Sequence, residues 1–108
     1  MTLNESWERC LKMWRWIGAQ IRNGDVCSVD VLKEDYIEIF DPGAEGTCYF
    51  CEYDTEHCNE EGCSQCPGRL VDLLFYCDKE GYHYWREPLA FLAKIEELNK
   101  IRLSGEEK

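Results

Sequence analysis

Eight cysteines in 108 residues, four of them in the matched pairs Cys48-x-x-Cys51 and Cys63-x-x-Cys66, restrict this chain more than any other feature. A C-x-x-C pair places two sulfurs within reach of one metal ion, and two pairs supply the four thiolates of a structural zinc shell. Eleven residues lie between the pairs, enough for a loop to return on itself. Pro67-Gly68 after the second pair suits a sharp reversal. The pattern predicts one structural Zn2+ held by Cys48, Cys51, Cys63 and Cys66, with Cys77, Cys58 and His57 as alternate ligands. A second metal on His57, Cys58, Cys77 and His83 would match no standard spacing.

Two other uses of the thiols compete with zinc. An even number of cysteines suits a disulfide framework, which needs an oxidising compartment. Residues 1–6, Met-Thr-Leu-Asn-Glu-Ser, contain no apolar stretch of the secretory kind, so the expectation is a cytoplasmic, reduced protein. A redox C-x-x-C wants a single pair at the start of a helix that follows a strand, and two neighbouring pairs fit that poorly. Cys10 and Cys27 read as small buried hydrophobes.

The net charge of −10 is unevenly spread. Residues 1–24 carry net +2 and residues 63–108 net −1, whereas residues 25–62 hold twelve acidic side chains and a single base, Lys33. Zinc modules that grip nucleic acid surround the metal with Lys and Arg to neutralise phosphates. Here the expected metal loops carry Glu45, Glu52, Asp54, Glu56, Glu60 and Glu61 instead. Direct nucleic-acid binding through that face is disfavoured. A basic protein partner, or a protein site that normally holds nucleic acid, is favoured. The plainer role of such charge is solubility. No apolar run approaches the roughly 20 residues of a membrane span.

Thr2-Leu3-Asn4-Glu5 reads as a capping box. Trp7, Leu11, Trp14, Gly18 and Ile21 then recur at helical spacing up to the stop signal Asn23-Gly24, which predicts a helix over 3–22. Met13 and Trp16 lie off the main stripe, so this helix is apolar on more than one side. That suits a central core helix, with Trp16 as a candidate partner anchor. Ser28 or Asp30 can cap a second helix over about 29–39, although Ile37–Phe40 also suits a short strand. The dense apolar run Leu70–Tyr76 suits a strand or a buried extended segment. Glu87-Pro88 opens a last helix reaching about 103.

The predicted fold is mainly α with a small zinc-bound loop or ribbon, a small α+β domain. Two long helices and one short helix surround the four-cysteine zinc site, with the first and last helices packed together. Residues 1–108 form one domain: a helical part over 1–40, a zinc-binding insert over 41–78, the segment of the C-terminal helix over 79–104, and a frayed tail over 105–108.

No catalytic residues are predicted. Only His57 tempts as a base, with Glu60 or Glu61 beside a metal of open coordination, and no H-E-x-x-H or phosphate-binding glycine loop is present. A metal-dependent hydrolase or nuclease is therefore the third expectation. The second is a nucleic-acid binder using Arg9, Lys12, Arg15 and Arg22 on the first helix and Lys94, Lys100 and Arg102 on the last.

The assembled pattern is W-x-x-C-L-x-x-W over 7–14, C-Y-F-C-E-Y over 48–53, C-S-Q-C-P-G over 63–68, then Cys77, then Tyr82 to Trp85. It resembles small, uncharacterised, zinc-ribbon-like cysteine-rich proteins encoded by tailed bacteriophages. The resemblance implies a protein made in the host cytoplasm during infection, with no known activity. A further downstream cysteine of that pattern falls on Cys77, which keeps Cys77 among the alternate ligands. Small acidic phage proteins often bind and block host machinery, so the resemblance implies a host protein as partner and host-defence inhibition as one role.

Overall fold

The computed structural model describes residues 2–24, 28–44, 46, 48–57 and 65–105. Among these, five helices and no strand are present: α1 (Leu3–Arg22), α2 (Val29–Phe40), α3 (Tyr49–His57), α4 (Pro67–Val71) and α5 (Pro88–Gly105). α1 packs against each of the other four. A Cα radius of gyration of 13.6 Å matches the roughly 13 Å of a compact chain of this length.

α1 is the axis because its sequence is apolar on two sides. Trp7, Leu11 and Trp14 form one stripe, Cys10, Met13 and Ile17 the next, and all six are buried. Its start is the expected capping box, with Glu5 N–H donating to Thr2 Oγ1 at 3.1 Å and Thr2 N–H to Glu5 Oε1 at 3.2 Å. Its end is Asn23, followed by Gly24 at φ 92°, a left-handed position that glycine takes without strain.

α5 lies along α1 through Phe91, Leu92, Ile95 and Leu98, all buried. Trp14 and Phe91 meet at 4.7 Å between ring centroids. At Gly18 the two helices approach so closely that a Cβ would stand 2.7 Å from Leu92 Cδ2. α2 is capped by Ser28, whose side chain accepts from Val31 N–H. It buries Val29, Leu32 and Tyr36. Trp16 is partly buried here, packed on Tyr36 and Phe40 at 5.7 and 6.0 Å.

Three expectations need correction. The strand part of an α+β fold is absent among the described residues. Ile37–Phe40 finishes α2, and Cys48-x-x-Cys51 opens α3 where a loop knuckle was expected. The helix count therefore exceeds two long and one short. The run over 70–76 is not a buried strand: it leaves α4 through a turn at Asp72, whose carboxylate accepts from Leu74 N–H at 3.0 Å. Phe75 is 1 % exposed, but Leu73 and Leu74 are 75 % and 69 % exposed. Residues 72–87 form turns only, and the last helix begins at Pro88.

Candidate functional site

The thiols occupy the side of α1 that faces α3 and α4. Cys48 is the residue before α3, and its carbonyl accepts from Glu52 N–H at 3.0 Å, the first turn of that helix. Its sulfur accepts from Cys51 N–H at 3.3 Å, the bond a capping side chain makes to the third helical residue. The C-x-x-C spacing thus places both sulfurs on the opening turn of a helix. The Cys51 thiol donates to Cys48, which, with Lys33 and the N–H groups of Cys51 and Phe50, holds Cys48 down to about 6 against its burial. Cys51, whose proton is shared with Cys48, is pushed up by that bond, by burial and by the neighbouring thiols.

Cys66 caps α4 by position, its carbonyl accepting from Leu70 N–H at 3.0 Å ahead of Pro67. Cys77 lies on the turns after α4, its carbonyl accepting from Tyr84 N–H at 2.9 Å. Cys48, Cys51, Cys66 and Cys77 all line one cavity of about 400 Å3, with Cys10 of α1 in its wall. Burial raises the Cys10 thiol well above its ordinary range, so it packs as the small hydrophobe expected. No disulfide joins these five cysteines. Among the described residues, no three His, Cys, Asp or Glu side chains stand close enough together to hold a metal ion.

A single cation from the acidic middle of the chain stands in this cavity. Lys33, the single base of residues 25–62, is 8 % exposed. Its Nζ lies 4.8 Å from the Tyr84 ring centroid and 5.5 Å from that of Trp14. The signal was present: one lysine among twelve acidic residues on the apolar side of a helix. Asp54 faces the same cavity and accepts from Gln65 N–H at 2.7 Å, tying α3 to the start of α4.

The rest of the acidic set divides. Glu52 and Glu56 of α3 line a second hollow, about 300 Å3, with Glu5, Arg9 and Asp41. Arg9 reaches Glu5 at 3.6 Å, and Tyr49 Oη donates to Asp41 at 2.8 Å. Glu5 and Asp41 come to this hollow from α1 and from the turn after α2. Cys58, Cys63, Glu45, Glu60 and Glu61 lie outside the described residues, as does Cys27.

His57 ends α3 on the surface. Its Nδ1 donates to Tyr53 O at 2.9 Å and its ring stacks on Tyr53 at 4.0 Å. It is not part of the thiol cavity's lining. His83 Nδ1 accepts from the N–H groups of Trp85 and Arg86 at 3.2 and 3.4 Å, so it organises a turn. On the helices considered for nucleic acid, Arg15 grips Glu96 with two bonds of 3.0 and 2.6 Å. Lys94 meets Glu97, and Arg102 reaches Asn4 and Asn99. No helix is long and apolar enough to cross a membrane among the described residues.

The fold and site define a small helical, cysteine-rich domain with a thiol-lined cavity and an acidic hollow on either side of one short helix. No protein family, curated protein or solved structure matches the chain.

Proposed function

We propose that this is a non-enzymatic, zinc-stabilised module that binds a basic protein partner through its acidic side. One observation carries the proposal: α3 has its thiol pair on one cavity and Glu52 and Glu56 on the other. A group that fixes the thiols fixes the carboxylates with them. The donor set fits zinc in kind, since several thiols share a cavity and one is readily ionised. Cys48, Cys51 and Cys66 would hold the ion with a fourth thiolate, the spacing of the pairs nominating Cys63. The ion would supply a structural clamp and no reaction step.

Four carboxylates against one guanidinium make the hollow a receptor for Lys or Arg side chains. The resemblance to phage proteins makes the natural partner a protein of the infected cell, and occupation of a nucleic-acid site the strongest form of the proposal. Nucleic-acid binding by the protein itself is the weaker reading, because Arg15, Lys94 and Arg102 are engaged within the fold.

Titration of the zinc-loaded protein with a Lys/Arg-rich peptide and, separately, with duplex DNA tests this. The expected result is peptide binding that weakens as ionic strength rises from about 0.1 M to about 1 M, where screening shortens from about 10 Å to about 3 Å. Glu52→Lys with Glu56→Lys should abolish it. DNA binding without peptide binding would reverse the two readings.

A further inference from the structure

We infer that Cys77 is the fourth ligand of the metal centre, so that the ion joins Cys48 and Cys51 of α3, Cys66 before α4, and the turn segment over 72–87. The inference rests on the zinc reading above and assigns the shell that reading leaves open; Cys63 then lies outside it.

Three observations lead here. Cys77 lines the same cavity as the other three sulfurs although it belongs to neither C-x-x-C pair. The structure thus brings together thiols from three separate stretches of chain. Cys10, the other thiol lining that cavity among the described residues, is buried within α1 and serves as wall.

The second observation is the segment that carries Cys77. Residues 72–87 contain neither helix nor strand. Connections of more than about 12–15 residues without secondary structure are uncommon in compact domains unless something functional holds them. Phe75 is the only fully buried side chain along this stretch. Tyr84 N–H closes the turn onto the Cys77 carbonyl. A metal bond at Cys77 supplies a second anchor two residues from the first.

The third is charge. Four thiolates around a divalent ion leave a net −2, which a nearby cation offsets. Lys33 stands in the cavity with its ammonium over Tyr84, the residue bonded to Cys77, and forms no ion pair among the described residues. A thiolate centre gives this ammonium its counterion. Zn–S bonds of about 2.3 Å are shorter than the present spacing of the sulfurs allows. Binding therefore draws the thiols inward, Cys77 moving with a turn segment that Phe75, Tyr82 and Tyr84 hold against the core.

The test uses the full chain loaded with Co2+ as a spectroscopic probe and with Zn2+ for affinity. Wild type should show thiolate-to-cobalt bands of a four-sulfur site. Cys77→Ser should weaken binding more than about 100-fold, beyond the roughly 10–100-fold that loss of a supporting residue causes. Cys77→His should restore binding with a three-sulfur, one-nitrogen spectrum, and Cys63→Ser should leave the wild-type spectrum unchanged. Circular dichroism of metal-free Cys77→Ser should match metal-free wild type, because this turn position is exposed. In wild type, Zn2+ should slow hydrogen exchange over 72–87. Wild type that binds neither metal overturns the zinc reading and this assignment together. Metal-binding wild type whose four-sulfur spectrum survives Cys77→Ser, or is lost with Cys63→Ser, overturns the assignment alone.

Discussion

α1 with α5 and the segment between α2 and α5 are built on different principles. The α1–α5 pair is held by side chains at helical spacing, each adding apolar area at about 25 cal/mol per Å2, although α1 also packs on α3, where Trp7 meets Phe50 at 4.8 Å. The central segment has a nine-residue helix, a five-residue helix and a run of turns. Its fully buried apolar side chains are few, chiefly Tyr49, Phe50, Pro67 and Phe75. Four thiols line its cavity, Cys48 and Cys66 half-buried and Cys51 and Cys77 exposed. Under the zinc proposal, a frame that folds by packing supports a segment whose shape depends on what the thiols bind.

If the proposed zinc centre forms, the largest effect should come from taking the metal away. Structural zinc contributes roughly 10–16 kcal/mol in small peptides, against about 5–15 kcal/mol of net stability for a whole domain. A chelator, or Cys51→Ser with Cys66→Ser, should abolish hydrogen-exchange protection over α3 and α4. Protection in α1 and α5 should fall far less. Equal loss in both regions would erase the distinction between them. Next in size are packing changes, which strike both. Ile95→Ala in α5 should cost about 2–5 kcal/mol in urea unfolding. Gly68→Ala should cost about 1–3 kcal/mol, since its Cβ would stand 2.6 Å from the Phe75 ring. The first should be independent of zinc. The second should be masked when zinc is withdrawn.

The same division governs what could be read from residues alone. α1 was legible to its ends because a capping box, two apolar stripes and Asn23-Gly24 all agree. α2 and α5 followed from Ser28, Pro88 and their spacing, though α5 turns Phe91 inward and leaves Leu89 and Leu103 partly exposed. α3 was missed for a physical reason. Residues three apart share one face of a helix, so C-x-x-C suits a helix start as well as a loop knuckle, and only Tyr49 and Phe50 are buried to signal a helix. The run over 70–76 misled because its hydrophobicity suggested burial, while Asp72 turns the chain and carries Leu73 and Leu74 outward. The acidic hollow was half visible. Glu52 and Glu56 stood out as charge near cysteines, but Glu5 reaches them only through the packing of α1 on α3, and Asp41 from the turn after α2.

A smaller effect should sharpen the role of Lys33. In metal-free protein, alkylation of Cys48 followed against pH should show a midpoint below that of an ordinary thiol, because the Cys51 thiol donates to its sulfur and Lys33 stands nearby. Cys10, with its thiol raised by burial, should stay unreactive while folded. Lys33→Met removes one of the charges that favour the Cys48 thiolate and should move the midpoint upward. A midpoint that stays in place would mean that the ammonium serves only Trp14 and Tyr84.

The smallest effect lies on the frame, at the Arg15–Glu96 pair joining α1 to α5. Its geometry is bidentate, yet the side chains remain 56 % and 36 % exposed. Exposed pairs contribute about 0–1 kcal/mol after solvent screening. The bond from Arg15 holds the Glu96 carboxyl below its ordinary range, against some burial. A depressed acid contributes stability that is fully present above its ordinary pKa and is lost as pH falls through the depressed value. Arg15→Gln should therefore lower urea stability by less than about 1 kcal/mol near neutral pH. The difference should vanish once Glu96 is protonated, and should shrink in high salt. A larger, salt-independent loss would mean that this pair fixes how α5 lies on α1, and that the frame too depends on a polar clamp.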